Sequence, residues 1–237
     1  MVGIGFLRFT GAATTVVAGL LALAACGGDS GTPAKSNADL FKAAAANMKA
    51  ATSYHLEADI KQGDQNMSMK GDIDMANKNT QLDMSAAGQS VKVIKVGGTV
   101  YNSVDNGATY VKGDASSDPS SNFAGLWDNF KPDEIDKSKD ALKDGTPATE
   151  KIDGVDTKHI TANAKDLSSL SAGSSKAMDG TIDLWVTTDA NPTIRQLKID
   201  GTSDGKPIAA TLKWNKINEK FDIKAPPTST APHVRYL

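Results

Sequence analysis

The chain of 237 residues carries 26 basic against 28 acidic side chains. So near a balance supplies no field for nucleic acid or for an anionic membrane surface. One cysteine excludes an internal disulfide, and with aromatics at only 5 %, aliphatic residues and methionine must fill most of any core.

The first elements are a leader and a tether. Arg8 precedes an uncharged apolar run, Gly11 to Ala25, which falls short of the roughly 20 residues a helix needs to cross ~30 Å of hydrocarbon. It reads as a secretion signal over residues 1–25 that ends in small residues. Leu23-Ala24-Ala25-Cys26 resembles the bacterial lipobox. That resemblance implies cleavage before Cys26, a diacylglycerol on its sulfur and an acyl chain on its amine. The competing reading is an uncleaved membrane helix with a chance cysteine. Two or three acyl chains make a firm anchor, since each buried CH₂ contributes ~0.8 kcal/mol. The protein is then lipid-anchored on the outer face of the cell membrane, in the envelope. Residues 26–37 form the tether, and "GGDSGTPAKSN" is flexible by composition. Without the leader, 25 basic and 28 acidic groups remain, a net of −3.

Beyond the tether, residues 38–227 read as one domain. "NADLFKAAAANMKAA" predicts a helix capped at Asn37 to Asp39 and ending near Ala51, with Leu40, Phe41, Ala44, Met48 and Ala51 on one face. Period-two alternation follows: Tyr54, Leu56, Ala58 and Ile60; then Met67, Met69, Ile73 and Met75; then Leu82 with Met84, and Val91 with Val93. Later runs carry Ile182, Leu184 and Val186; Leu197 and Ile199; and Ile208, Ala210, Leu212 and Trp214. Turn residues separate them, among them Gly97-Gly98, Asp153-Gly154 and Asp204-Gly205. No proline falls inside these strand candidates. Strand after strand joined by tight turns predicts an antiparallel meander with one apolar face.

That face needs a cover. Phe123, Leu126, Trp127 and Phe130 lie at i, i+3, i+4 and i+7, which predicts a short amphipathic helix over 120–130. A second helix is expected from Pro132 to about Lys143, with Ile135, Ala141 and Leu142 facing in. Residues 165–171 add a further turn. The fold expected is mainly β (α+β): a curved antiparallel half-barrel sheet with helices covering its concave side. The tail, residues 228–237, reads as a mobile end.

Chemistry-bearing motifs are sparse. No G-x-S-x-G, H-E-x-x-H or phosphate-cradling glycine loop occurs, and His55, His159 and His233 lack metal-ligand spacing. Ser203 to Lys206 fits S-x-x-K but lacks that hydrolase class's companion motifs. Asp72 and Asp74 alternate on a polar strand face, where solvated carboxylates suffice. The expectation is a protein that is not an enzyme, with no cofactor, no metal and no nucleic-acid partner, and a monomer. Met67, Met69, Met75 and Met84 either fill the core or line a pocket for flexible tails.

In order along the chain, the lipobox, the tether, "ADLFKAAAANMKAATSYHLEADI", "VGGTVYNSVDNGATYVKGD", "GTIDLWVTTDANPTIRQLKI" and a closing "FDIKAPP" resemble the LppX/LprG (LprAFG) family of actinobacterial lipoproteins. That family is related in fold to the lipoprotein carriers LolA and LolB. The resemblance covers about residues 36–227. It implies an unclosed half-barrel around an apolar cavity for acyl chains, and a role in carrying lipids or glycolipids within the envelope. The cavity positions expected by alternation are Leu56, Met67, Met69, Met84, Val93, Leu184, Val186, Leu197 and Leu212, with Phe123, Leu126, Trp127 and Phe130 as a lid that either gates or plugs it. The alternative is an accessory or structural envelope lipoprotein with a filled core, acting through protein partners.

Overall fold

A computed structural model of the chain describes residues 35–113, 127, 131–167, 178–203 and 205–228. Cys26, most of the expected 120–130 helix (including Phe123, Leu126 and Phe130), residues 168–171 of the expected later turn and most of the tail lie outside them.

The first helix, α1 (Asn37–Ala50), forms as its apolar spacing predicts, and Ala38, Leu40, Phe41, Ala44, Ala45 and Met48 are buried. Its cap sits one residue earlier than the sequence reading placed it. Ser36 accepts from the Asp39 backbone N–H at 3.1 Å, and its hydroxyl donates to the Asp39 carboxylate at 2.7 Å. One orphan backbone N–H of the first turn is thereby satisfied.

Among the described residues eleven strands follow: β1 (Ser53–Gln62), β2 (Gln65–Asp74), β3 (Asn79–Ala86), β4 (Gln89–Val96), β5 (Thr99–Ser103), β6 (Val111–Gly113), β7 (Lys143–Ile152), β8 (Val155–Asn163), β9 (Met178–Thr187), β10 (Ile194–Ser203) and β11 (Lys206–Asn215). They form one sheet in the order β6-β5-β4-β3-β2-β1-β11-β10-β9-β8-β7. Every pairing is antiparallel. The meander runs outward in both directions from the β1–β11 pair. Its terminal strands, β6 and β7, do not pair, so the curled sheet stays open. Two-residue turns such as Asp153-Gly154 (φ 50° and 82°) have both residues in the left-handed region, matching the twist of the strands they join.

The expected helix from Pro132 to Lys143 is corrected. Helix α2 (Pro132–Lys137) stops at Ser138, a single 3₁₀ turn covers Lys139–Ala141, and Lys143 already opens β7. The reason is a tertiary contact. Ser138 donates its hydroxyl to the Asp166 carbonyl at 3.1 Å, and tightening the chain there turns Leu142 into the core while Ala141 stays half-buried.

Strands β5 to β8 were not among the alternating runs. β7, "KDGTPATEKI", lies at the sheet edge and is exposed along most of its length, so no one-sided apolar pattern marks it. Its pairing with β8 shifts register between Asp144 and Thr149, around Pro147, as an edge strand tolerates. Pro207 likewise falls within β11, next to its first residue.

Candidate functional site

Alternation puts one residue in two on the face covered by α1, and the strand register then ranks those residues into cross-strand rows. A deep row contains Val93, Leu82, Gly71, Leu56 and Trp214. The middle row runs Val91, Met84, Met69, Ala58, Leu212, Leu197, Leu184 and Ile160, unbroken from β4 to β8. The third row is Ala86, Met67, Ile60, Ala210, Ile199, Ile182 and Ala162. All nine expected cavity positions lie on this inner face.

Burial is graded along the rows. Leu56 and Leu82 are 0 % exposed and Trp214 2 %, because the deep end packs into the same core as α1, Ile135, Leu142 and Leu167. Toward the β1–β2 hairpin the cover thins. Ile60, Met84, Ile182 and Ile199 are only partly buried, packed against the edge of that core, and Met67 is half-buried, while Ala210 and Ala162 of the third row are buried. The hollow of about 560 Å³ near this hairpin lies on the other, polar side of the sheet, lined mainly by Asp59, Lys61, Ser68, Ser85, Ala209 and Thr211, with Ile60 and Met67 only at its rim. The expected set therefore splits. Leu56, Met69, Leu184, Val186, Leu197 and Leu212 belong to the packed core, Val93 is buried outside it, and Met67 and Met84 stand at its open margin.

Ile60, Ile182 and Ile199, which complete that margin, were read only as strand positions. Their signal was present in the alternation, but register alone says which end of a strand is left uncovered. Of the expected lid, Trp127 is described. It is 3 % exposed, and its ring centroid lies 5.0 Å from that of Trp214 at an interplanar angle of 60°, the tilted arrangement aromatic pairs favour. It fills the deep end.

Glycine shapes the open end. Gly180 and Gly201 face each other across β9 and β10; a Cβ on Gly201 would come within 2.0 Å of the Asp179 carbonyl oxygen. Only bare backbone fits so close an approach.

The opposite face is mostly polar, and its aromatic feature lies on β8 and β9. On the outer side of β8 and β9 the His159 and Trp185 rings stack at 4.3 Å and 10°. His159 Nε2 is hydrogen-bonded to Asp183 at 2.9 Å, the Trp185 indole N–H donates to Glu150, and the Lys198 ammonium lies 5.4 Å from the Trp185 ring. His55 is bonded to Asp72 at 2.6 Å on the same face, farther along the sheet. Ser203 and Lys206 flank the β10–β11 turn as a paired position. No group of three or more His, Cys, Asp or Glu among the described residues is placed to hold a metal ion.

Two solved structures share this architecture. Lipoprotein LppX of Mycobacterium tuberculosis superposes with a TM-score of 0.53 at 18 % identity, over 79 % of this chain and 98 % of that one. LprF from Mycobacterium bovis gives 0.53 at 14 %, over 80 % and 96 %. The chain has the LppX/LprF fold. No family model matches the sequence, and no curated protein matches it. The expected mainly antiparallel open sheet of that fold is what the strand order shows.

Proposed function

We propose that this protein is a lipid-anchored envelope protein that binds acyl chains of lipids or glycolipids along its inner sheet face and carries them without chemistry. The supporting observation is the burial gradient: an apolar surface continuous over many strands, sealed at one end and half-open at Ile60, Met67, Met84, Ile182 and Ile199. Methionines at that margin adapt to flexible tails. Sixteen methylenes buried at ~0.8 kcal/mol each offer a gross gain of ~13 kcal/mol. A bilayer offers the same chain nearly the same burial, so the protein exchanges lipid instead of trapping it. The anchor is Cys26, acylated after cleavage of the leader, and the description of LppX as a lipoprotein supports this reading.

The test uses the Cys26→Ala chain in solution, with lipids extracted for mass spectrometry and uptake of a fluorescent fatty acid measured. Bound lipid is expected, and Met67→Asp or Ile199→Asp should abolish uptake while leaving the circular dichroism unchanged. A chain that is repeatedly lipid-free and takes up no probe overturns the carrier reading in favour of an accessory lipoprotein with a filled core. Membrane fractionation of Cys26→Ala tests the anchor: release into the soluble fraction is expected, and wild-type retention refutes it.

A further inference from the structure

Strand β10 carries an irregularity that its own sequence announces. Its inward residues are Ile194, Leu197 and Ile199, spaced by three and then by two. Strict alternation cannot send both Ile194 and Leu197 inward, so one extra residue has to be absorbed between them. Ile194 pairs with Val186 and Gln196 with Trp185, which makes Arg195 that residue. The register with β11 begins only at Gln196. A bulge of this kind re-aims a side chain away from the regular faces of the sheet.

The side chain so placed is an arginine without a partner. Arg195 is half-buried, and its Nε–H is buried with no hydrogen-bond acceptor among the described residues. No carboxylate among them pairs with its guanidinium. Folded proteins rarely leave a buried charged donor in that condition. A guanidinium presents its N–H donors as a planar fork that matches phosphate or carboxylate oxygens two at a time.

Arg195 lines a hollow of about 530 Å³ at the end of the sheet where α1 passes into β1. The other walls are the last turns of α1 at Asn47, the β9–β10 loop at Asp189 and Thr193, and the stretch after β11 at Lys216, Asn218 and Glu219. These walls are fixed without help from Arg195. The Thr187 N–H donates to the Thr193 carbonyl and the Thr193 N–H to the Thr187 hydroxyl, both at 2.9 Å. The Asn47 amide donates to the Pro192 carbonyl at 2.8 Å. Asn218 Oδ1 accepts from the Thr52 N–H at 2.8 Å and from its hydroxyl at 3.2 Å, so the NH₂ of Asn218 is the end left for the hollow. With the Thr193 hydroxyl and the Lys216 ammonium it adds donors to those of the guanidinium.

This donor set selects the ligand. A carboxylate has two oxygens and is saturated by the arginine fork alone, whereas donors on several segments suit the larger oxygen set of a phosphate. Asp189 and Glu219 stand exposed in the same lining, and the carbonyl end of α1 adds partial negative charge. A polyanion is therefore repelled, while the two carboxylates can accept from hydroxyl groups. One phosphate on a small hydroxylated carrier satisfies both halves of the lining.

We propose that this hollow is a binding site for a phosphate ester of a small polyol, with Arg195 clasping the phosphate. The site is separate from the inner sheet face and depends on neither acyl binding nor the anchor. Free glycerol 3-phosphate carries this chemistry, and so does the headgroup of phosphatidylglycerol.

The test uses the Cys26→Ala chain and follows the Arg195 Nε–H by nuclear magnetic resonance at constant ionic strength. Glycerol 3-phosphate or short-chain dihexanoylphosphatidylglycerol should shift that resonance in a saturable way. A shift with the free ester assigns a soluble ligand, and a shift with the lipid alone assigns a headgroup; each supports the site. Arg195→Gln should weaken binding by about 10- to 100-fold, and Arg195→Lys, which keeps the charge but loses the fork, should not restore it. Circular dichroism checks that both variants stay folded, and the wild-type resonance decides the matter if either does not. No shift beyond that given by equal chloride overturns the proposal. So does binding of unchanged affinity in Arg195→Gln, which is what acyl uptake on the inner face alone would give.

Discussion

Gly145 is the position where a single methyl group should tell most about how the sheet edge is held. A Cβ built there would lie 2.1 Å from His159 Nδ1 and 2.3 Å from Cγ, inside the ring's own volume. The ring has little freedom to yield. It is 7 % exposed, bonded to Asp183 on one side and stacked on Trp185 at 4.3 Å. Gly145→Ala must therefore either expel His159 or push β7 off the sheet. Expulsion loses a hydrogen bond to a charged group, about 1.5–3 kcal/mol, and an aromatic stack, about 0.5–1.5 kcal/mol. Displacing β7 instead carries an overpacking cost of about 1–3 kcal/mol. Depending on the route, a loss of roughly 1–4 kcal/mol is expected, read by urea denaturation of the Cys26→Ala chain. A double-mutant cycle isolates the cause: in a His159→Ala background the methyl group meets a vacated space, so the two changes should couple strongly. A cost below about 1 kcal/mol, or plain additivity in the cycle, would refute the assignment of His159 as the group that requires glycine at 145.

Three further outcomes follow from the packing and the titrating groups. Leu56→Ala opens a cavity in the fully buried row and should destabilise by about 2–5 kcal/mol, whereas Met67→Ala at the open margin should cost clearly less; paired urea midpoints check the contrast. Burial pushes the Tyr54 hydroxyl up to about 12. Its contribution to stability is complete below the unfolded value near ~10 and is lost as pH rises toward the folded one; ultraviolet titration should show Tyr54 ionising last or only with unfolding. Asp105 accepts from the Ser103 hydroxyl at 2.6 Å, from the Thr109 hydroxyl, and from the Thr109 backbone N–H at 2.9 Å, which together hold its carboxyl down at about 2. The β5–β6 loop should keep its structure above the ordinary carboxylate range and loosen as pH falls through about 2, and side-chain carboxyl NMR shifts give the midpoint.

Much of this molecule is legible in the sequence because its governing signals are local. The spacing of Leu40, Phe41, Ala44 and Met48 specifies α1, and the alternation through Leu56, Met69, Leu184 and Leu212 specifies which side of each strand is buried, since successive side chains on a strand must point to opposite faces. Turn dipeptides such as Asp153-Gly154 then enforce antiparallel neighbours. Tertiary structure decided the rest. β7 shows no alternation because an edge strand exposed on both faces has nothing to bury, and the Pro132 helix broke at Ser138 because a partner at Asp166 and a strand slot beside β8 outcompeted further turns. Above all, alternation makes Leu56 and Met67 equivalent, and only the path of α1 across the inner face makes one a sealed core residue and the other part of an open margin. Which end of an apolar face is covered depends on contacts between segments far apart in the chain, and no local pattern carries that information.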